Sequence, residues 1–503
     1  MFNTIQKIIR KKRQTLFIVG ILLCAAVFTL IVLRAFFRPV RYVVHIDDAL
    51  FEKYVLPLPE KAEQTENRKL PFTFKKLSET AKRNGFFGKI EVTAATVLCE
   101  KNILLLESDR QADNITKYPL EKTVLLPSVK AEFEKQSEAA SVLSPNLSVS
   151  ITEPSALPEK NRALPVDGLY AGDENYALTV NTYAVCTVYS EAVAKALAEW
   201  CEKTFVSPED QKTLFIAGVG DIMVARGLQD VLINDPDGLK KVFSTTLPVL
   251  QSNDLTIGNL EGVVTESSAK ANKTYTFKFK KAVLPFLKDA GFNYLMQANN
   301  HCYDYGEAGF KDTLAALDEY SVPTSGAGLN EEEAAKFYNT EIKGQKVAVI
   351  SCGAFPVEQS GFNGKTTATA TKTRAGILWE GETLLKSIAE QKAKGNFVVV
   401  NVHGGEEYRF TPTKRQRALY ESFCDSGADV VFGSHPHVLQ PTEWYKNGLI
   451  VYSLGNFLFN GMTEMYGATD SEIARLGIYD GKIVYVELYP VKLGTTSVAL
   501  KPE

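Results

Sequence analysis

From about Lys212 onward, short apolar runs rich in β-branched residues alternate with stretches of helical character. The apolar runs predict strands at Thr213–Val219, Asp254–Ile257, Tyr294–Gln297, Lys346–Ser351, Phe397–Val402, Asp429–Phe432 and Leu449–Ser453. The stretches between them predict helices at Leu239–Leu250, Ala282–Ala290, Ala308–Tyr320, Glu382–Ala393 and Lys414–Ser426. Such alternation is typical of an α/β domain with buried sheets.

The chain of 503 residues is too long for one ordinary domain. We expect three segments: a basic tail and membrane anchor at 1–41, a smaller mixed α/β region of unknown role at 42–205, and the α/β domain at 212–503. A hydrophobic content of 45% is that of a globular protein with sizeable cores. The net charge of −3 gives no basis for nucleic-acid binding, which usually needs a basic face.

The N-terminus carries the signal of a membrane anchor. A basic segment, Lys7–Arg13, precedes Thr15–Leu33, a run of 19 residues without a charge. At about 1.5 Å per residue, this run just crosses a hydrocarbon core of roughly 30 Å. The charge bias predicts a single span with the bulk of the chain outside the cytoplasm. A cleaved signal peptide and lipidation at Cys24 are alternatives, but the residues after the run offer no small-residue cleavage site.

Ligand-type side chains gather at the ends of the predicted strands. Four of the five histidines closely follow such strands: His301, His403, His435 and His437. Carboxylate and amide side chains stand at other strand ends: Asp221, Glu261 and Asn300. Neutral imidazole is the commonest metal ligand among side chains, and carboxylates bind divalent cations. The pattern therefore predicts one metal centre.

Each motif also has an ordinary structural interpretation. Asp221 has the residue type of a helix N-cap, and the glycine-flanked Asn259–Glu261 segment suits a turn. Pro436, between His435 and His437, removes a backbone donor and favours a bent loop over a regular strand. The combination favours the metal centre, because strand ends in α/β sheets face a shared ligand crevice.

Six motifs occur in order: GVGDIM, NLEG, ANNHCYDYG, NVHGGEEY, GADVVFGSHPHVLQP and YSLGNFLF. Over roughly residues 213–460, this series resembles the CapA-type capsule-synthesis family, which is associated with poly-γ-glutamate production. That family is similar to the calcineurin-like metallophosphoesterases. The resemblance implies a four-layer sandwich of two mixed sheets flanked by helices.

The resemblance also implies roles for individual residues. Metal ligation is implied for Asp221, Glu261, Asn300, His403, His435 and His437. His301 matches the catalytic histidine, which Asp304 would hold in place. Phosphoesterases carry a histidine two residues after the first aspartate, where this chain has Met223, so one metal position is short of a ligand. We expect one or two divalent ions; oxygen and imidazole ligands suit Mn, Fe or Zn.

Two functions follow as expectations. The first is a membrane-anchored, metal-dependent hydrolase of phosphoester type in capsule or poly-γ-glutamate synthesis. The second is a non-catalytic accessory protein that binds or exports an anionic polymer, with other capsule-synthesis proteins as partners. Candidate cations for an anionic substrate are Arg226, Lys278, Lys280 and Arg409.

Overall fold

The structure is a computed structural model that describes residues 212–501 continuously. It also describes the segments 42–46, 72–76, 93–103, 105–108, 149–152, 157, 162–165, 169–173, 176, 179–188 and 195–199. The predicted anchor at 1–41 lies outside the described residues. Within the described part of the chain, no helix combines the length and the hydropathy that a membrane crossing needs.

The described residues fall into two compact units. The first lies within 1–101 and 181–207, and the second within 102–180 and 208–503. The strands that precede residue 200 are β1 Tyr42–Ile46, β2 Phe72–Lys76, β3 Thr93–Ile103, β4 Leu105–Ser108, β5 Val149–Thr152, β6 Arg162–Leu164 and β7 Thr179–Val188. They form two sheets, with the orders β2-β1-β7-β3 and β5-β4-β6. The segment boundaries expected from the sequence stay predictions.

The larger unit is built on two mixed sheets. Its strands are β8 Leu214–Met223, β9 Leu255–Leu260, β10 Val263–Val264, β11 Lys278–Phe279, β12 Tyr294–Met296, β13 Ala327–Gly328, β14 Tyr338–Ile342, β15 Gln345–Ala354, β16 Gly376–Ile377, β17 Phe397–Gly404, β18 Val430–Ser434, β19 Thr442–Tyr445, β20 Gly448–Val451, β21 Asn456–Phe459, β22 Asp470–Tyr479, β23 Lys482–Leu493 and β24 Val498–Leu500. One sheet has the order β12-β9-β8-β22-β23-β24, with β21 also paired to β8. The other has the order β14-β15-β17-β18-β20-β19.

Within residues 212–501, helices alternate with these strands. They are α1 Leu228–Asn234, α2 Gly238–Phe243, α3 Leu247–Gln251, α4 Val283–Asp289, α5 Gly306–Glu319, α6 Glu331–Ala334, α7 Gly364–Thr367, α8 Glu382–Ala393 and α9 Lys414–Asp425. The predicted strands and helices of this unit are confirmed within a few residues. The stretch Leu239–Leu250 is divided between α2, a 3-10 turn and α3, since Ser244 has a positive φ and Pro248 starts a new helix.

Three apolar clusters order the layers. The first holds side chains of β8, β9 and β12 together with side chains of β15, β17, β18 and β20, so it lies between the two sheets. The second packs α1, α2 and α4 against the outer face of the first sheet. The third packs α8 and α9 against the outer face of the second sheet. The result is a helix–sheet–sheet–helix sandwich.

Parallel strands bring the functional loops together. The strands β8, β9 and β12 run parallel to one another, as do β15, β17, β18 and β20. Their carboxyl ends therefore open at one edge of each sheet, which is where ligands bind in α/β folds. At this edge the backbones of Gly220 and Gly455 lie close together: a Cβ on Gly220 would be 2.0 Å from the carbonyl oxygen of Gly455. Only glycine fits there.

Candidate metal centre

Asp221, Glu261 and His437 form a buried group at this edge. Asp221 lies near the carboxyl end of β8, Glu261 directly follows β9, and His437 follows β18. Each residue offers one ligand atom, and the three atoms lie within 4.8 Å of one another. His437 Nδ1 is 3.1 Å from Asp221 Oδ2, and His437 Nε2 is 3.8 Å from Glu261 Oε1. This group could hold a divalent metal ion.

The carboxylate oxygens are short of protein partners. Asn259 Nδ2 donates to Asp221 Oδ1 at 2.8 Å, while Asp221 Oδ2 and both oxygens of Glu261 have no hydrogen bond within the described residues. Although His437 Nδ1 is near Asp221 Oδ2, its hydrogen-bond partner is Asn456 Oδ1 at 2.9 Å. Buried carboxylates without partners are costly to a fold. A cation among them would satisfy these oxygens, so the donor set fits the expected metal.

A second group lies beside the first. His403 Nε2 is 2.9 Å from Asn300 Oδ1 and 3.1 Å from His435 Nδ1, so three ligand-type atoms converge. His435 Nε2 is buried without a hydrogen bond to any described residue. The two groups are linked, because His403 Nδ1 is 4.0 Å from Asp221 Oδ1. The structure thus brings all six predicted ligands to one edge of the sandwich.

The loop after β18 is bent, as the sequence predicted. His435 and His437 both have positive φ, at 97° and 58°. Non-glycine residues rarely adopt this conformation, and such strain is typical of functional sites. Tyr408 N donates to Pro436 O at 2.8 Å, which fixes the bend. The conformation turns both imidazoles inward, and their ring centroids are 6.1 Å apart.

His301 lies at the same edge, held by Asp304 as the sequence suggested. His301 Nδ1 is 2.7 Å from Asp304 Oδ2, and Nε2 is 3.8 Å from Glu261 Oε1. A carboxylate accepts only, so Nδ1 carries the proton and Nε2 faces the site. The ring of Phe277 packs against the imidazole at a centroid distance of 4.4 Å. His301 is therefore placed to exchange a proton at Nε2.

Burial and crowding shift the pKa values of these groups. Burial, and next the charge of Asp221, raise the pKa of Glu261 well above its ordinary value. Burial lowers the pKa of His403 and of His435 well below the usual range. Burial alone would also lower the pKa of His437, but Glu261 and Asp221 outweigh it and raise that pKa to about 10. A metal ion requires neutral imidazoles and ionised carboxylates, so it would find His403 and His435 ready to bind but would have to displace a proton from His437 and keep Glu261 ionised.

The four cationic residues predicted to bind an anionic substrate differ in their distance from the centre. Arg226 is exposed, and its guanidinium lies 5.0 Å from the ring centroid of Phe277, which itself contacts His301. Arg226 is thus at the rim of the centre. The other three make local contacts: Lys278 Nζ donates to Ser267 O, Lys280 Nζ is 4.0 Å from Asp230, and Arg409 pairs with Glu406. No described contact connects those three to the centre.

Several supporting residues were not among the predicted ligands. Lys273 is the foremost, because its Nζ is 2.7 Å from Asp304 Oδ1 inside the protein. Asn259 supports Asp221, and Asn456 supports His437. Asn259 had a sequence signal, since residues two apart on a strand share a face and it stands two positions before Glu261. Lys273 lies in a segment without regular structure and had no such signal.

Fold and site together define an α/β sandwich protein with a buried Asp–Glu–His group suited to a divalent cation. Comparisons with known proteins narrow this class. A family model, "Bacterial capsule synthesis protein PGA_cap", matches residues 215–461. "Capsule biosynthesis protein CapA" of Bacillus anthracis is 35% identical over 318 residues, which cover 60% of this chain and 74% of that relative. The chain belongs to this CapA-type family of bacterial capsule synthesis proteins, as the sequence motifs predicted.

Other similarities are weaker or shorter. "PGA biosynthesis protein CapA" of Bacillus subtilis is 36% identical over 245 residues, or 48% of this chain and 62% of that protein. A solved structure titled as a novel phosphatase from Mycoplasma pneumoniae has 14% identity and a TM-score of 0.36, covering 56% of this chain and 94% of that one. A hypothetical protein from Thermus thermophilus has 17% identity and the same TM-score of 0.36, covering 56% of this chain and 100% of that one. Structural likeness at this level supports no conclusion about activity.

Proposed function

We propose that the chain is a membrane-anchored protein of capsule or poly-γ-glutamate synthesis with a metal-dependent, phosphoesterase-like site. One observation carries the proposal: Glu261 and Asp221 lie buried side by side with three oxygens that no described residue hydrogen-bonds. Such a pair is unfavourable unless a cation joins it. The four layers of the sandwich also agree with a metallophosphoesterase-like fold.

Six side chains of the centre would act as metal ligands. Asp221, Glu261 and His437 would hold one divalent ion, and Asn300, His403 and His435 would ligate a second beside it. A bound divalent ion polarises a phosphoryl oxygen and lowers the pKa of bound water.

Three further side chains would transfer a proton, bind the substrate or pack against the site. His301, protonated on Nδ1 by its bond to Asp304, takes up or releases a proton at Nε2 on the side of Glu261. Arg226, at the rim, offers a cation to an anionic substrate. Phe277 packs on His301, which is only 7% exposed.

A turnover assay tests this proposal. We expect the full chain with Mn²⁺ to hydrolyse bis-p-nitrophenyl phosphate, and the double variant Asn300→Ala/His301→Ala to lose turnover by roughly 10²–10⁴-fold. Metal analysis of the purified protein should find one or two divalent ions per chain. Turnover that persists in the double variant would point to a contaminant and refute the assignment.

One residue, Met223, supports the alternative function of a non-catalytic accessory protein. Met223 stands where phosphoesterases have a histidine ligand, and it is fully buried on the same face of β8 as Asp221. If the protein binds Mn²⁺ and retains poly-γ-glutamate but hydrolyses no phosphoester, the accessory function is the correct one. Membrane anchoring is tested separately by fractionation, together with protease accessibility of the large unit in intact cells.

A further inference from the structure

Lys273 is an ammonium group buried beside the candidate centre. Its side chain is only 1% exposed. Nζ donates to Asp304 Oδ1 at 2.7 Å and to Asn300 O at 2.8 Å, and it forms an ion pair with Glu358 Oε1 at 2.9 Å. Burying an ammonium costs free energy that these partners must offset. Lys273 is therefore not an ordinary solvated surface lysine, and its buried position indicates a specific role.

The contact with Asp304 concerns the orientation of His301. Asp304 uses Oδ2 for His301 Nδ1 and for the backbone N–H of Phe277, while Lys273 binds Oδ1. Without the ammonium, a fully buried carboxylate would lose its only cationic partner among the described residues. The carboxylate would then be free to adopt a new rotamer, and that rotamer would release the imidazole.

The contact with Glu358 concerns the amide of Asn300. Asn300 Nδ2 donates to Glu358 Oε1 at 3.2 Å, the same oxygen that Lys273 binds. Because a carboxylate only accepts, the NH₂ group must face Glu358, and Asn300 Oδ1 must face His403. This orientation is the one that presents an oxygen to a metal. Lys273 holds Glu358, whose side chain is 17% exposed, in the position that enforces it.

We propose that Lys273 is a positioning residue of the centre: it holds the His301–Asp304 pair and, through Glu358, the ligand orientation of the Asn300 amide. Its relevance to turnover rests on the proposed function, whereas its effect on side-chain geometry does not. Partners outside the first ligand sphere of metal sites typically change metal affinity or activity 10–100-fold when removed.

The experiment uses the full chain with Lys273→Met, Lys273→Arg and, as a matched control, Lys270→Met, since Lys270 is exposed on the same segment. Proton NMR follows the imidazole proton between His301 and Asp304, assigned by its loss in His301→Gln. We expect this resonance in the wild type and in the control, its absence in Lys273→Met and its partial return in Lys273→Arg. Mn²⁺ affinity, measured by paramagnetic resonance, should fall 10–100-fold in Lys273→Met and stay unchanged in the control.

A Lys273→Met protein that keeps both the resonance and the Mn²⁺ affinity would overturn the proposal. If that variant does not fold, Lys273→Arg and Glu358→Gln decide. We expect Glu358→Gln to keep the His301 resonance but to bind Mn²⁺ about tenfold more weakly, and unchanged affinity would remove the role assigned to Glu358. A wild type that binds no Mn²⁺ would refute the proposed function, while the NMR result would still decide the role of Lys273.

Discussion

Replacing Glu261 by glutamine should stabilise the metal-free protein and abolish its stabilisation by metal. Glu261 is fully buried, neither of its oxygens has a described hydrogen bond, and burial together with Asp221 raises its pKa well above the ordinary value. Each pKa unit of this rise costs about 1.4 kcal/mol of stability once the carboxyl is ionised. The amide has nearly the same shape and carries no charge, so it avoids this cost.

The expected sizes follow from linkage. About 1 kcal/mol shifts the Tm of a domain of 150–250 residues by roughly 2–4 °C, so one pKa unit corresponds to about 3–6 °C. A ligand at about 100 times its Kd adds roughly 2.7 kcal/mol, or about 5–11 °C for the wild type. Since the folded-state pKa is raised, Glu261 favours folding at low pH and loses this contribution as the pH rises through that pKa. The gain from Glu261→Gln should therefore be large at pH 8 and disappear near pH 4.

Scanning calorimetry in EDTA and in Mn²⁺ measures both effects. Glu472→Gln is the matched control, because burial raises the pKa of Glu472 on β22 to about 7, and the charge that opposes this rise, Lys501, is not a group of the centre. We expect the control to gain stability in EDTA at pH 8 and to keep the full Mn²⁺ shift. If Glu261→Gln melts lower than the wild type in EDTA, or keeps the Mn²⁺ shift, the argument from unpartnered carboxylates is wrong.

Three further predictions concern the same edge of the sandwich. Gly220→Ala should prevent or strongly weaken folding, since its Cβ would lie 2.0 Å from the Gly455 oxygen. Gly381→Ala, in open space at the N-cap of α8, should cost no more than about 1 kcal/mol. Met223→His should raise the number of Mn²⁺ ions bound per chain, measured by elemental analysis; unchanged stoichiometry and affinity would contradict this. Mn²⁺ affinity should rise from pH 6.5 to 8.5 by up to about tenfold per pH unit. The reason is that the pKa of His437 is raised to about 10, so the metal ion must displace a proton from this imidazole. An Mn²⁺ affinity that does not change with pH would refute this prediction.

The secondary structure near the site could be predicted because fully buried strands have a recognisable sequence pattern. Strands such as β8 and β17 are buried along their whole length, so their apolar runs are continuous in the sequence. The hairpin of β22 and β23 was not predicted, since exposed and buried residues mix along β23. A local signal existed in Asp480–Gly481, where both residues have positive φ at the hairpin turn.

The site could be predicted to the extent that its ligands follow strands. The predicted ligands of β8 and β9 meet because parallel strands end at the same edge of one sheet. His437, which follows β18 of the other sheet, lies against them. Lys273 could not be predicted, because its contact with Asp304 joins residues 31 positions apart across a segment without regular structure. Side chains that position ligands are set by packing rather than by a periodic pattern.

The loss of a histidine at Met223 bears on the choice between hydrolase and accessory protein in two ways. It removes one protein ligand from the group of Asp221, Glu261 and His437, which argues for weaker metal binding. Yet in zinc sites three protein ligands with a remaining open position are the catalytic arrangement, while structural sites are closed by four protein ligands. His301, placed with Nε2 toward Glu261, adds a proton carrier that a structural site would not need. The donor set therefore favours hydrolysis, and the Mn²⁺-loaded protein must show turnover for this reasoning to stand.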